Sequence, residues 1–171
     1  LSAKPDYAEV HNNRGNTLNR MGRQAEAIAS FQAALRAMPS YVEAHNNLGN
    51  AFHDAGQLDE AVASYSRALK LKPDYAEAHA GLCDTLLKQY AVEFEKALFI
   101  AAEEACQRAL ELDSRSSAVH IALGNLYRHS GQYTLAEREF NRALSLKPTA
   151  VDAYVGLAAA LLAQEKNALA E

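Results

Sequence analysis

Histidines are the side chains in this sequence whose type most readily suggests a metal site, because imidazole nitrogen is a common zinc ligand. His11, His45 and His79 recur every 34 residues, and His120 follows after a longer interval. Zinc requires histidine nitrogens at about 2.0–2.1 Å from one ion. Residues that fall one per repeat are too far apart to meet that condition. The spacing therefore predicts four packed histidines and no shared metal ion.

Other signatures of catalysis are missing from the sequence. It contains no His-Glu-x-x-His pair, no Gly-x-x-x-x-Gly-Lys loop and no Gly-x-Ser-x-Gly turn. The acidic residues follow the same repeat on predicted solvent faces, so they do not single out a catalytic pair. We therefore expect a protein without enzymatic activity and without a cofactor.

The elements that carry these residues form a repeat with a period of 34. Pro5, Pro39 and Pro73 mark it, and an Ala-Leu pair recurs in each unit, as at Ala34 and Leu35. Within a unit, two apolar stripes at helical spacing are separated by a glycine and end at a proline, which cannot continue a helix. A fixed period in this range is typical of a solenoid built from stacked helix pairs.

Composition narrows the function further. The 171 residues carry a formal net charge of −4 and no run of lysine or arginine, so nucleic-acid binding is not expected. No apolar stretch is long enough to span a membrane. The two cysteines, Cys83 and Cys106, do not form a Cys-x-x-Cys pair and are predicted to be buried, reduced thiols. A cytoplasmic location is the default expectation.

The repeat resembles the tetratricopeptide repeat, whose pattern combines small, aromatic and turn residues at fixed positions. This resemblance implies an all-α fold, an α-solenoid of antiparallel helix pairs in a right-handed superhelix, with the first helix of each pair lining a concave groove. Residues 1–7 are predicted to end a preceding repeat, and residues 151–171 to form a partial fifth repeat or capping helix. The four complete units are 8–41, 42–75, 76–116 and 117–150. In the second unit the pattern is carried by His45, Leu48, Gly49, Phe52, Gly56, Ala61, Tyr65, Ala68 and Pro73.

Carried over from the family by position, the groove is rich in asparagine in its first half. An asparagine amide offers a donor and an acceptor, so amides in register could bind the backbone of an extended peptide without selecting its side chains. The alternative is a solvated polar face. The predicted grip consists of Asn12, Asn16, Asn47 and Asn50. The complete predicted set is Asn12, Asn13, Asn16, Arg20, Asn46, Asn47, Asn50, Asp84 and Asn125.

Charge in the groove bears on the ligand. Glu9, Glu43 and Glu77 form an acidic row that would favour a basic peptide, or would only complement the helix N-termini. Some family members clamp a C-terminal carboxylate with lysine and arginine, but those positions hold Asn12, Glu77 and Gly81 here. An acidic tail is therefore a poor expected ligand. The asparagine ladder is more similar to the repeat arm of O-linked N-acetylglucosamine transferases.

The third unit is seven residues longer than its neighbours, which predicts about one extra turn on each helix of a taller hairpin. Its tip is unusually apolar, with Tyr90, Phe94, Leu98 and Phe99. These residues either pack on each other and on an adjacent hairpin or form a docking knob for a partner.

The function predicted from the sequence is a non-catalytic protein-interaction module that binds a peptide of a protein partner. The opening Leu1–Tyr7 matches Leu69–Tyr75, the end of a repeat, which suggests a fragment of a longer array. One alternative is the substrate-recruiting arm of a larger enzyme such as a glycosyltransferase. Another is a scaffold that self-associates through Val155, Leu157, Leu161 and Leu162.

Overall fold

The computed structural model describes residues 5–168, and this part of the chain consists of nine α-helices with no strand. Residues 1–4 of the predicted preceding tail and residues 169–171 of the predicted fifth repeat lie outside the described residues. No helix within 5–168 is long and apolar enough to cross a membrane. The helices are α1 (Pro5–Arg20), α2 (Gln24–Ala37), α3 (Val42–Asp54), α4 (Leu58–Leu71), α5 (Ala76–Glu93), α6 (Lys96–Leu112), α7 (Ser117–His129), α8 (Tyr133–Leu146) and α9 (Val151–Ala168).

Two kinds of turn connect the helices. Within three of the pairs, a glycine (Gly22, Gly56 or Gly131) adopts φ of 73° to 75°, a left-handed conformation that other residues rarely adopt. After each of these three pairs, a proline follows the second helix, and the residue before it is extended, as at Met38 (φ −142°) before Pro39. Glycine thus allows the chain to fold back within each of these pairs, and proline ends the second helix of the pair.

The arrangement of the helices makes the stack curved. Each odd-numbered helix contacts the next odd-numbered helix, whereas α2, α4, α6 and α8 do not contact one another anywhere in the described residues. The odd-numbered helices are therefore closer together and line the inner surface, and the even-numbered helices form the outer layer. The predicted all-α solenoid is confirmed.

Within most pairs, a glycine on the inner helix packs against an aromatic ring on the outer helix. A Cβ atom placed on Gly49 would lie 2.7 Å from the Tyr65 ring, and one on Gly15 would lie 2.5 Å from the Phe31 ring. Both rings are buried. Since such distances are far below van der Waals contact, only glycine allows the two helices this separation.

The third pair replaces this contact by a disulfide bond between Cys83 and Cys106. The prediction of two reduced thiols is therefore wrong. The two cysteines occupy the glycine and aromatic positions, which face each other across a pair, so their Cα atoms lie 5.3 Å apart, within the range that a disulfide requires. Both side chains are fully buried.

The same pair contains the extra length predicted from the sequence. Helix α5 has 18 residues where α3 has 13, and α6 has 17 where α4 has 14. The connecting turn, Phe94–Glu95, is short, so the added residues extend the helices rather than the loop. The result is a hairpin that is taller than its neighbours.

Candidate peptide-binding groove

The residues predicted to line the groove all lie on the odd-numbered helices, but they differ in accessibility. Asn13, Arg20 and Asn50 are exposed to solvent. Asn16, Asn47, Asp84 and Asn125 are half-buried. Asn12 and Asn46 are each only 5% exposed, so the structure places them between helices rather than on the open surface.

Amide side chains connect the first two inner helices. The Asn47 Nδ2 atom donates a hydrogen bond of 3.0 Å to Asn12 Oδ1, and Asn19 Nδ2 donates one of 3.1 Å to Asp54 Oδ2. Each bond joins α1 to α3. The matched asparagines of the first two units are therefore used partly to join the helices to each other.

The amide bridge is missing between the second and third units, and this leaves Asn46 without its partner. Its Oδ1 atom is buried and has no hydrogen-bond partner among the described residues. In the next unit, the position equivalent to Asn47 is Gly81, which has no side chain to donate. Gly81 is required there because a Cβ atom would lie 2.5 Å from the Tyr65 ring.

A charged bridge joins the inner helices α3, α5 and α7. The His53 Nε2 atom lies 3.1 Å from Asp84 Oδ2, and Asn125 Nδ2 donates a bond of 2.7 Å to the other oxygen of Asp84. His53 also lies 3.5 Å from Asp54 through Nδ1. Sequence reasoning selected Asp84 and Asn125 but left His53 out of the predicted set. Its signal was its spacing: it lies three residues, about one helical turn, after the predicted groove residue Asn50 on the same inner helix.

The bridge shifts the pKa of each of its ionisable members. Burial alone would lower the pKa of His53, but the adjacent Asp54 and Asp84 carboxylates outweigh it and raise that pKa to about 9. Burial would raise the pKa of Asp84, and the His53 imidazolium outweighs it and keeps the pKa low. The pKa of Asp54 is lowered in the same way. His53 is therefore a cation held between two carboxylates at neutral pH.

Asn50 has a structural partner as well. The hydroxyl of the buried Tyr65 donates a hydrogen bond of 2.6 Å to Asn50 Oδ1. Burial raises the pKa of Tyr65, so this phenol stays protonated and remains a donor. The bond fixes the orientation of the Asn50 side chain, whose NH₂ group can still donate toward the groove.

The histidines of the repeated position have a structural role. The Nε2–H groups of His45 and His79 donate to the carbonyls of Pro39 and Pro73 at 2.9 and 3.0 Å. His120 Nε2 makes the equivalent contact, and its Nδ1 lies 2.7 Å from Glu139. Each of these histidines thus satisfies a carbonyl at the turn between pairs, and residues 5–168 contain no group of three potential metal ligands.

The four residues predicted as a docking knob occupy two levels of the α5–α6 hairpin. Leu98 and Phe99 are partly buried against the core, and the Tyr90 and Phe99 rings are 5.2 Å apart. Phe94 lies at the turn and is 76% exposed. The knob is therefore a packed base that supports one protruding ring.

Residues predicted to mediate self-association lie on α9. Val155, Leu161 and Leu162 are exposed, whereas Leu157 packs against the cluster around Phe140. The exposed face of α9 thus contains three of the four predicted side chains.

Comparison with known proteins identifies the repeat. The family model described as TPR repeat matches residues 15–56, 49–89 and 124–165, and one described as tetratricopeptide repeat matches residues 105–138. No curated protein matches the sequence.

Solved structures agree with the family match. A thermophilic TPR protein from Thermus thermophilus is 22% identical, with a TM-score of 0.83 over 92% of this chain and 82% of that one. A tetratricopeptide repeat protein from Parabacteroides merdae is 24% identical, with a TM-score of 0.69 over 98% and 63%. MamA from Desulfovibrio magneticus is 19% identical, with a TM-score of 0.64 over 94% and 86%.

At these identities, the structural likeness establishes the fold alone. Repeats of this kind generally mediate protein–protein interactions, which agrees with the polar inner surface described above. Because the family models match most of the sequence, the chain belongs to the tetratricopeptide repeat family.

Proposed function

We propose that the chain is a non-catalytic interaction module that binds an extended segment of a protein partner along its inner surface. The observation that carries this proposal is the continuous polar strip on the inner helices. Its bridges, Asn12–Asn47 and His53–Asp84–Asn125, join α1 to α3 and α3 through α5 to α7. A ligand lying along the strip would meet pre-oriented polar groups in each unit.

The accessible amides supply the grip. Asn13 and Asn16 lie on α1, and neither is committed to a bridge between helices. Asn47 keeps its Oδ1 acceptor free of the bond to Asn12, and Asn50 keeps its NH₂ donors. Together these groups could pair with the N–H and C=O groups of an extended backbone. The Asn47 and Asn50 side chains are already held by hydrogen bonds, so they lose little side-chain entropy when they bind, which favours affinity.

The surrounding charge selects for basic ligands. Glu43 and Glu77 are exposed in the first turns of α3 and α5, and Glu9 is exposed one turn into α1. Asp54 is also exposed, and its lowered pKa keeps it ionised. A peptide with lysine or arginine side chains flanking the gripped backbone therefore complements the groove.

The test uses the amides that have no structural duty. Peptides are selected from a random display library on the intact chain, and the affinity of the enriched peptides is then measured for Asn13→Ala/Asn16→Ala. Loss of two hydrogen bonds predicts binding weaker by about tenfold or more. The matched control is Asn141→Ala, which removes an exposed amide from the outer helix α8. Unchanged affinity of the double variant would contradict the groove assignment.

Substituting all four residues of the originally predicted grip would be a less specific experiment. Asn12 and Asn47 bond to each other, and Asn50 accepts from the buried Tyr65. Their removal leaves a buried hydroxyl unpaired, which costs about 1–3 kcal/mol of stability. Loss of binding would then have two explanations.

The disulfide bears on the cellular compartment of the module. Disulfides form and persist mainly in oxidising compartments, so we assign the module to such a compartment instead of the cytoplasmic default.

The groove could equally recruit substrates for a larger enzyme, such as a glycosyltransferase. Self-association through α9, where Val155 and Leu162 are exposed, is the competing use of the stack. A molecular mass in solution that rises with concentration in the wild type but not in Val155→Glu would favour it.

A further inference from the structure

The turn at the tip of the α5–α6 hairpin differs from the other turns within pairs. Those turns place Gly22, Gly56 and Gly131 in the left-handed region, whereas this one places Phe94 there, with φ of 56°. A non-glycine residue in that region costs about 1–2 kcal/mol. Glycine would form the turn at lower cost, so the benefit of the phenyl ring lies outside the turn itself.

Two further exposed apolar side chains lie near this ring in the sequence of the hairpin. Phe94 and Val92 are 76% and 75% exposed, and Ile100, one turn into α6, is 45% exposed. The Tyr90 ring contacts both Phe94, at 6.3 Å between centroids, and Phe99, at 5.2 Å. We call Val92, Phe94 and Ile100 the tip surface; its central ring, Phe94, contacts Tyr90, which in turn contacts Phe99. The aromatic contacts support the Phe94 ring in its exposed position.

The tip surface is accessible because of the added helix length. Helix α5 has 18 residues and α3 has 13, and the five additional residues correspond to about 7.5 Å along the helix axis. The tip therefore extends past the turns of the neighbouring pairs, which contain Gly56 and Gly131. A partner could cover it without entering the groove.

The charge next to the tip surface is negative. Glu93 and Glu95 flank Phe94 in sequence. Ile100 lines an open cavity of about 470 Å³ together with Glu103, Glu104, Gln107, Arg108 and Glu111. Arg108 is paired with Glu111 at 3.1 Å, which leaves Glu103 and Glu104 to act on a ligand. Residues 93–111 contain five acidic and two basic side chains.

We propose that the tip surface docks an amphipathic segment of a partner protein that is rich in lysine or arginine. Its apolar side chains would cover Val92, Phe94 and Ile100, and its basic side chains would pair with Glu103 and Glu104. Aromatic anchors on a rigid base are typical centres of protein interfaces. This surface is additional to the groove proposed above and does not depend on it.

The experiment measures binding of a labelled amphipathic helical peptide of leucine and lysine, compared with a matched peptide of leucine and glutamate. The wild-type chain should bind the lysine peptide saturably, and Phe94→Gly should weaken that binding by about tenfold or more. Glycine restores the residue type of the other turns, so the melting temperature of this variant should stay the same or rise. Val10→Ser, which changes an exposed apolar residue on α1, is the matched control and should bind normally.

Charge and location are tested separately. Glu103→Gln/Glu104→Gln should reduce affinity a few-fold and weaken its salt dependence. Because the groove also favours basic ligands, Asn13→Ala/Asn16→Ala tests whether the lysine peptide binds there instead of at the tip surface. Three results would overturn the proposal: no saturable binding to the wild type, equal binding of the glutamate peptide, or unchanged affinity in Phe94→Gly. Binding that is lost only in the asparagine variant would assign the lysine peptide to the groove instead.

Discussion

The first and third helix pairs solve the same packing problem in different ways. In α1–α2, Gly15 lets the Phe31 ring lie against the inner helix, and the contact is purely van der Waals. In α5–α6, Cys83 and Cys106 occupy the equivalent positions and are joined covalently. The comparison shows that these two positions tolerate a glycine with a ring or two cysteines, because both choices fill the same space between the helices.

The two pairs also differ at their surfaces. The inner helix of the first pair is bridged by amides, whereas Asp84 in the third pair takes part in a charged bridge. The turn of the first pair contains Gly22, and that of the third contains Phe94. A covalent link, a charged bridge and an apolar tip are thus concentrated in one of four pairs. Such a pair can hold additional surface features without losing its own packing.

The largest expected effect comes from removing the covalent link. Cys83→Ala/Cys106→Ala opens a loop closed over a separation of 23 residues, which should lower the free energy of unfolding by about 3 kcal/mol. Urea denaturation measures this change. Cys83→Gly/Cys106→Phe introduces the residues of the first pair and should recover part of the loss. If the alanine variant unfolds at the wild-type urea concentration, the disulfide does not stabilise the pair.

An intermediate effect is expected where the pairs depend on glycine. In Gly49→Ala, the new Cβ would lie 2.7 Å from the Tyr65 ring, and the shift needed to relieve this contact should cost about 1–3 kcal/mol. Thermal unfolding provides the measurement. Gly56→Ala has open space but requires φ of 74°, so it should cost about 1 kcal/mol. Equal stability of Gly49→Ala and the wild type would mean that the ring can move freely.

The smallest expected effect concerns the charged bridge and depends on pH. The folded-state pKa of His53, about 9, is above its unfolded value, so its stabilisation is fully present below pH about 6.5 and is lost as the pH rises through 9. Solvent screening at the exposed Asp54 should reduce the change to about 1 kcal/mol, below the full linkage value of about 3 kcal/mol. His53→Gln, which makes this bridge resemble the amide bridges, should flatten the stability profile between about pH 6.5 and about pH 9.5.

Lowering the pH should also weaken this bridge, in this case by protonating its carboxylates. The pKa values of Asp54 and Asp84 are lowered, so the stabilisation from these carboxylates is present near neutral pH and is lost as the pH falls through their folded-state values.

A wild-type stability that does not change between neutral pH and about pH 9.5 would contradict the ion pairing of His53.

The sequence predicted the features that depend on period. Helix pairs, turn positions and the longer third hairpin follow from repeated residues such as Gly56 and Pro73, because local backbone preferences act through neighbours in the chain. The disulfide was missed although its signal was present. Cys83 and Cys106 stand in the positions of Gly49 and Tyr65, and residues that touch in one repeat also touch in the next.

The site was less predictable because it depends on side-chain orientation. The spacing placed Asn12 and Asn47 on inner helices, but it did not indicate that these amides would bond to each other. It also placed His53 on α3 without showing that Asp84 of the next unit would reach it. Such bridges are set by the distance and rotation between successive pairs, which a single repeat does not encode.

The disulfide has a mechanical consequence for a stack of this kind. When force separates the two ends of the chain, the segment between Cys83 and Cys106 cannot contribute to the extension, because the path of force passes through the sulfur atoms. A separation of 23 residues at about 3.3–3.6 Å each removes about 75 Å from the fully stretched length. Helices α5 and α6 therefore remain tethered near the Cys83–Cys106 bond after the other pairs have been pulled into an extended strand.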